Sequence, residues 1–220
     1  MLSTQPQSKN STEDRIIEAA VQLFSRDGFN GTSTREIARL ASVNEVTIFR
    51  YFARKKDLFW AAVDSRASRL RLGKALQEGL KGNASPAIVL EMIFEFLVET
   101  VQNQPELLRL LRFSALELDA GVDRICRKHL APIFESLVAY LGRSIETQSI
   151  RRVDPVITAL GFAATVMAHY GLYGPVTGAE FPYASRDEAI AAYTEYWLNL
   201  LLPPTGTAPV DVNQIYKSEN

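Results

Sequence analysis

Between Ser33 and Lys56 the sequence encodes two short, separately capped helices with almost no chain between them. Ser33 followed three residues later by Glu36 is a capping box, in which each side chain bonds the other residue's backbone N–H, so a helix is predicted to begin at Thr34. Ile37, Ala38 and Ala41 give that helix one inward face, and it is expected to end near Ser42. Asn44 is a good cap for the next helix, whose core side is Ile48 and Phe52 at i and i+4. The turn between them is A-S-V-N, with Val43 as its apolar pin.

The rest of the chain is helical by the same signals. Period-2 alternation is nearly absent and helical periodicity recurs, which predicts an all-α protein of about nine helices. Ser11 caps a first helix over 12–27, with Ile16, Ala20, Leu23 and Phe24 on one face and Gly28 as its left-handed stop. A fourth helix is expected from Lys55 to about Gly79. The stretch 82–86 reads as a linker, whose Ser85 and Pro86 start a strongly apolar helix, and Pro105 opens another through Leu118. Gly121 marks a break, and a helical stretch then runs to about Ser149, started or kinked by Pro132. Asp154-Pro155 and the Ser185/Glu188 pair open the last two, which end by Gly174 and before Pro203. The expected organisation is a disordered arm (1–11), a compact head (12–60) with helix 4 leading out to about residue 80, a larger helical body (86–202) and a tail (203–220).

Charge separates these parts. The whole 220-residue chain carries a net charge of −1, yet residues 1–72 carry +4 and the remainder −5, so the N-terminal third is the side suited to a polyanion. Cys126 is the only cysteine, which excludes an internal disulfide and fits a reducing, cytoplasmic setting. Residues 1–12 lack the apolar core of a secretory signal. The uncharged stretch between Asp154 and Glu180 is broken by His169, Pro175, threonines and glycines, whereas a spanning helix needs about 20 consecutive apolar residues. It is read as a buried helix, with no membrane partner. Two separated histidines and one cysteine offer no metal-ligand spacing, and no phosphate-binding loop, nucleophile elbow or dinucleotide fingerprint occurs, so neither catalysis nor a cofactor is expected.

Helix-turn-helix modules lay the second helix in the major groove, and the residue types between Ser33 and Lys56 suit that task. Thr34 and Arg35 open the first helix, where free backbone N–H groups favour phosphate. Asn44, Glu45 and Thr47 open the second with short polar groups able to reach bases or sugars. Phe49, Arg50 and Tyr51 fall outside the core register, an arrangement suited to a sugar–phosphate surface. Between Val46 and Lys56 stand four cationic residues and no anionic one.

In order and spacing, R-I-I-E-A-A-V-Q-L-F-S-R-D-G-F, T-S-T-R-E-I-A, A-S-V-N-E-V-T-I-F-R-Y-F and K-K-D-L-F resemble the N-terminal domain of the TetR family of bacterial regulators. The resemblance covers about 50 residues. It implies a DNA-binding head, a body that binds a small molecule and pairs with a second copy, and operator contacts from Thr34, Arg35, Asn44, Glu45, Thr47, Phe49, Tyr51 and Lys55, with Lys55 on a phosphate. Three positions depart from the family pattern: Ser42 stands where glycine is usual, Phe49 where tyrosine is common, and Arg54 where a small capping residue precedes the lysine.

In the body, Gly161, Ala164, Ala168 and Gly171 form a small-residue stripe, and Ile190, Tyr193 and Trp197 an apolar one; together they are the expected two-fold interface. The expected effector is an apolar or aromatic small molecule, with Phe94, Phe113, Glu117, His169 and Tyr173 as the first candidates to line its pocket. The reading is therefore a homodimeric repressor released from a palindromic double-stranded operator by a small molecule. An activator of the same fold, or a helical small-molecule-binding protein with no DNA role, are the alternatives.

Overall fold

The computed structural model describes residues 11–118, 122–170 and 185–203, and every regular element among them is helical. In chain order these are α1 (Thr12–Gly31), α2 (Thr34–Leu40), α3 (Glu45–Tyr51), α4 (Lys55–Ala67), α5 (Lys74–Lys81), α6 (Pro86–Asn103), α7 (Pro105–Glu117), α8 (Val122–Ile125), a π-helical turn (Cys126–Leu130), α9 (Ala131–Glu146), α10 (Pro155–Ala168) and α11 (Arg186–Leu201). The terminal segments 1–10 and 204–220, and with them most of the expected arm and tail, lie outside the described residues, as do Gly121, Gly171 and Tyr173. No described helix is long and apolar enough to cross a membrane.

The chain divides into two compact units. The first comprises residues up to Gly73 together with Phe96–Glu135; the second comprises Lys74–Glu95 and the chain from Ser136 onward.

The first unit is built around α1, which packs against α7, α4 and α2. Its core joins Phe24 and Phe59, both fully buried, to Ile16, Ile37, Ile48, Leu58, Leu107, Leu110 and Ile125. Phe24 and Phe59 meet edge-on at 5.1 Å, and Phe29 closes on Phe59 at 5.5 Å. Full burial of each such ring contributes roughly 1.5–3 kcal/mol. The helix-turn-helix thus does not close its core alone: α7 and α8 supply Leu107, Leu110 and Ile125 to it. An ion-pair clamp adds to the packing. Arg66 on α4 is only 3% exposed and reaches Glu18 of α1 at 2.6 Å and Glu106 of α7 at 2.7 Å.

Most helix starts follow the caps. Ser11 and Asp14 cap α1 reciprocally, Ser33 and Glu36 do the same for α2, and Asp154 accepts the Val156 and Ile157 N–H groups at the head of α10. Gly28 has the positive φ expected of a helix-stop glycine (+77°), but with an extended ψ of 178° rather than the left-handed helical value, and one more helical turn follows the kink before Thr32. Two breaks differ from expectation. Helix α4 stops at Ala67 instead of continuing to about Gly79: Ser68, Arg69 and Leu70 tighten into short-range bonds back to Asp64, Arg66 and Ala67, which turns Leu70 into the core. Upstream of Pro132 the helix widens into a π turn in which the Ala131 N–H bonds Cys126 five residues back, next to a residue that has no N–H to give.

The second unit holds an aromatic cluster. Phe162 of α10 is fully buried, with Phe94 of α6 at 5.7 Å and Trp197 of α11 at 4.8 Å. Tyr193 lies 5.4 Å from Phe94. Tyr140 donates to the Ala84 carbonyl at 2.9 Å and Arg143 to that of Leu80, fastening α9 to α5 and the turn after it.

Candidate nucleic-acid interface

The turn between α2 and α3 is a Schellman motif. The Val43 N–H bonds the Ala38 carbonyl at 3.0 Å and the Ser42 N–H that of Arg39 at 3.2 Å, with Ser42 itself left-handed at φ +55°. Glycine takes that conformation without strain; a serine there costs about 1–2 kcal/mol. The geometry is retained despite the side chain, and it sets the angle at which α3 leaves α2.

Helix α3 has two unlike faces. Ile48 and the following Phe52 are buried in the core. On the other side Val46 is 67% exposed, Phe49 48% and Tyr51 47%, beside exposed Asn44 and Arg50 and half-buried Glu45 and Thr47. Asn44 accepts the Val46 N–H at 3.1 Å and so starts the helix as expected. Thr34, the first residue of α2, donates its hydroxyl to the Glu45 carboxylate at 2.6 Å, joining the two helices across the turn. Arg35 is exposed next to it. The nine residues singled out for DNA contact therefore lie at the helix starts of α2, α3 and α4 and on the outer side of α3.

Lys55 opens α4 with its ammonium 4.4 Å from the Phe29 ring centre, a cation–π contact. Burial lowers its pKa from the ordinary lysine value, against the pull of the Glu117 and Glu36 carboxylates. Arg54 makes no capping bond. Its guanidinium instead takes both oxygens of Asp57, at 2.8 and 3.1 Å, so part of the positive charge read from the sequence is offset locally. Sequence reasoning passed over two residues here. Val46 sits off the Ile48/Phe52 register, and that same register was the signal that it faces outward; Asp57 lies at the i+3 spacing from Arg54 that lets the two pair.

Residues 16–62 match the family described as "Bacterial regulatory proteins, tetR family". The chain carries the TetR-family DNA-binding domain. Around this TetR-type head it is 56% identical over 50 residues to the probable HTH-type transcriptional regulator YttP of Bacillus subtilis, covering 23% of this chain and 24% of that one. To the HTH-type transcriptional repressor NicS of Pseudomonas putida it is 30% identical over 112 residues, 48% of this chain and 49% of that one. The matches thus span about a quarter to a half of the length of these curated relatives. Among solved structures, AibR in complex with isovaleryl coenzyme A and operator DNA superposes with a TM-score of 0.64 at 18% identity, over 89% of this chain and 100% of that one, which extends the likeness in fold beyond the TetR-type head.

The residues put forward for the effector divide between the units. Phe113 and Glu117 stand in the first, over Gly28: a β-carbon on Gly28 would come 2.5 Å from the Glu117 carboxylate and 3.0 Å from the Phe113 ring. Phe94 and His169 stand in the second, each against Tyr193, with the imidazole stacked 4.2 Å from Tyr170. Two clefts in that unit, of about 240 and 370 Å³, are lined by other residues, among them Tyr140 and Arg143 in one and Thr194 and Leu198 in the other.

The dimer candidates also separate. Gly161 faces Trp197, whose ring would lie 2.6 Å from a β-carbon there, and Trp197 donates to Thr165 at 3.3 Å. Tyr193 is buried. Gly161, Tyr193 and Trp197 are thus engaged within the chain. Ala164 and Ala168 are exposed instead, in line with Ile157 (69% exposed), Leu160 (55%) and Met167.

Proposed function

We propose that the chain is a homodimeric transcriptional repressor that holds a palindromic operator through two TetR-type heads and leaves it when a small apolar or aromatic effector binds. The observation that carries this reading is the outer side of α3, where Val46, Phe49 and Tyr51 stand in solvent beside Arg50, with Lys55 and Lys56 following at the start of α4. Large apolar side chains interleaved with cations are costly to leave in water and suit a groove lined by methyl groups and phosphates. In a dimer, two such helices enter successive major grooves about 34–36 Å apart, so a small change in head separation removes register. The second copy is taken to dock on the exposed stripe of α10, Ile157, Leu160, Ala164, Met167 and Ala168. The aromatic cluster of Phe94, Phe162, His169 and Tyr193 supports an apolar effector in the second unit. An effector releases DNA only by binding the off-DNA form more tightly. No catalytic role is part of this reading.

Selection of bound fragments from random duplex DNA, followed by salt titration on the selected site, tests it. A palindrome bound with affinity that falls steeply with salt supports the proposal, and Lys55→Ala then lowers affinity for all sequences and the salt slope by about one. No enrichment over bulk DNA at low salt, with folded protein, overturns it.

A further inference from the structure

Resting on that reading of α3, we propose that Glu45 and Val46 are specificity-determining residues, Glu45 selecting a cytosine and Val46 a thymine in each half-site. The Glu45 carboxylate is held by the Thr34 hydroxyl at 2.6 Å, so one of its oxygens is committed and its rotamer is restricted before any DNA arrives. A carboxylate on a surface that meets phosphates weakens binding to every sequence unless a donor faces it. In the major groove guanine presents two acceptors, thymine an acceptor and a methyl, adenine a donor beside the N7 acceptor, and cytosine the N4 amino donor with no neighbouring acceptor on the same ring. An acceptor-only group with one oxygen already used therefore favours cytosine. Val46 is the next residue, two-thirds exposed, and offers only methyl groups. The apolar feature of the major groove is the thymine C5-methyl. Thr34 acts here as a positioning residue, through Glu45.

The test is fragment selection with the full chain and with Glu45→Gln and Val46→Ala, both at non-buried positions, folding being checked by helicity. The expected wild-type half-site contains a C·G pair whose replacement by T·A costs about fivefold in affinity, the lower end of what a base-edge contact gives. Glu45→Gln shifts that position toward adenine, because glutamine pairs with adenine N6 and N7. Replacing the thymine by deoxyuridine, which removes only the methyl, weakens wild-type binding by about threefold and leaves Val46→Ala unaffected. Thr34→Val blunts the cytosine preference, and Thr34→Ser restores it. Cytosine preference surviving in Glu45→Gln, or wild-type indifference to deoxyuridine, overturns the assignment while leaving the protein a DNA reader. Absence of any enriched site removes the reading on which it rests and the assignment with it.

Discussion

Glu117, at the last turn of α7, accepts the backbone N–H of Asn30 at 2.7 Å, across 87 residues of sequence. The contact is possible because Gly28 lies beneath it. Its positive-φ backbone turns the end of α1, and its missing side chain leaves room for the carboxylate and for Phe113. Gly28→Ala combines backbone strain of about 1–3 kcal/mol, at a positive-φ, extended-ψ position almost confined to glycine, with overpacking of about 1–3 kcal/mol. Its urea midpoint is expected to fall correspondingly, whereas Gly31→Ala, with only an ordinary contact nearby, leaves it almost unchanged.

The clamp around Arg66 gives a sharper contrast. Glu18 and Glu106 are each more than a third exposed, but the guanidinium between them is buried, and its Nη1 atom has no hydrogen-bond partner among the described residues. Removing both carboxylates, as Glu18→Gln with Glu106→Gln, strands a buried cation at a cost of about 3–5 kcal/mol. Arg66→Met leaves carboxylates that water can reach and an apolar chain of similar volume, so it costs less. Equal losses in the two variants, measured by chemical unfolding, contradict this account.

Acid is expected to destabilise the chain in two steps. Burial holds the His169 imidazole below its ordinary pKa of 6.5, so the unfolded chain takes up that proton first and stability falls as pH drops below 6.5. The Arg66 hydrogen bond holds Glu18 below its ordinary 4.5. For Asp64, burial acts upward, but the bonds from Lys128 and His129 prevail and its pKa is lowered. The stability given by these carboxylates is present above their unfolded values and is lost as pH falls through the folded ones. Urea midpoints between pH 2 and 8 show both steps, and His169→Phe removes the upper one alone.

Leu160→Glu places a charge in the middle of the exposed α10 stripe without touching the buried side of that helix. Sedimentation is expected to show a monomer with unchanged helicity and operator affinity at least tenfold weaker, since one head alone loses the gain of the second. A Leu160→Glu chain that remains dimeric places the interface elsewhere.

Local signals made the TetR-type head legible in the sequence. Ser11, Ser33 and Asn44 each cap the helix they were expected to cap, and Ile48 and Phe52 fix the side that α3 buries. The strained Ser42 was legible as a departure from a glycine position, and its φ of +55° shows the backbone holding its course. What the sequence hid depends on partners distant along the chain. Helix α4 ends where Leu70 finds the core rather than at a local stop signal. Phe113 and Glu117, candidates for an effector pocket by residue type, stand instead over Gly28 in the first unit. Gly161 and Ala164 belong to one small-residue pattern, yet Trp197 claims the first and leaves the second exposed, a choice made by α11.

Leu107, Leu110 and Ile125 lie in one core with Phe24 and Phe59, and this bears on how such a head can be moved between regulators. A graft that transplants only the first 60 residues opens an apolar floor onto a foreign helix. Exchange of operator specificity by swapping whole heads therefore calls for carrying α7 and α8 along. Rewriting the outer side of α3 alone leaves that floor intact and is the less disruptive route to a new binding site, for an engineer and for evolution alike.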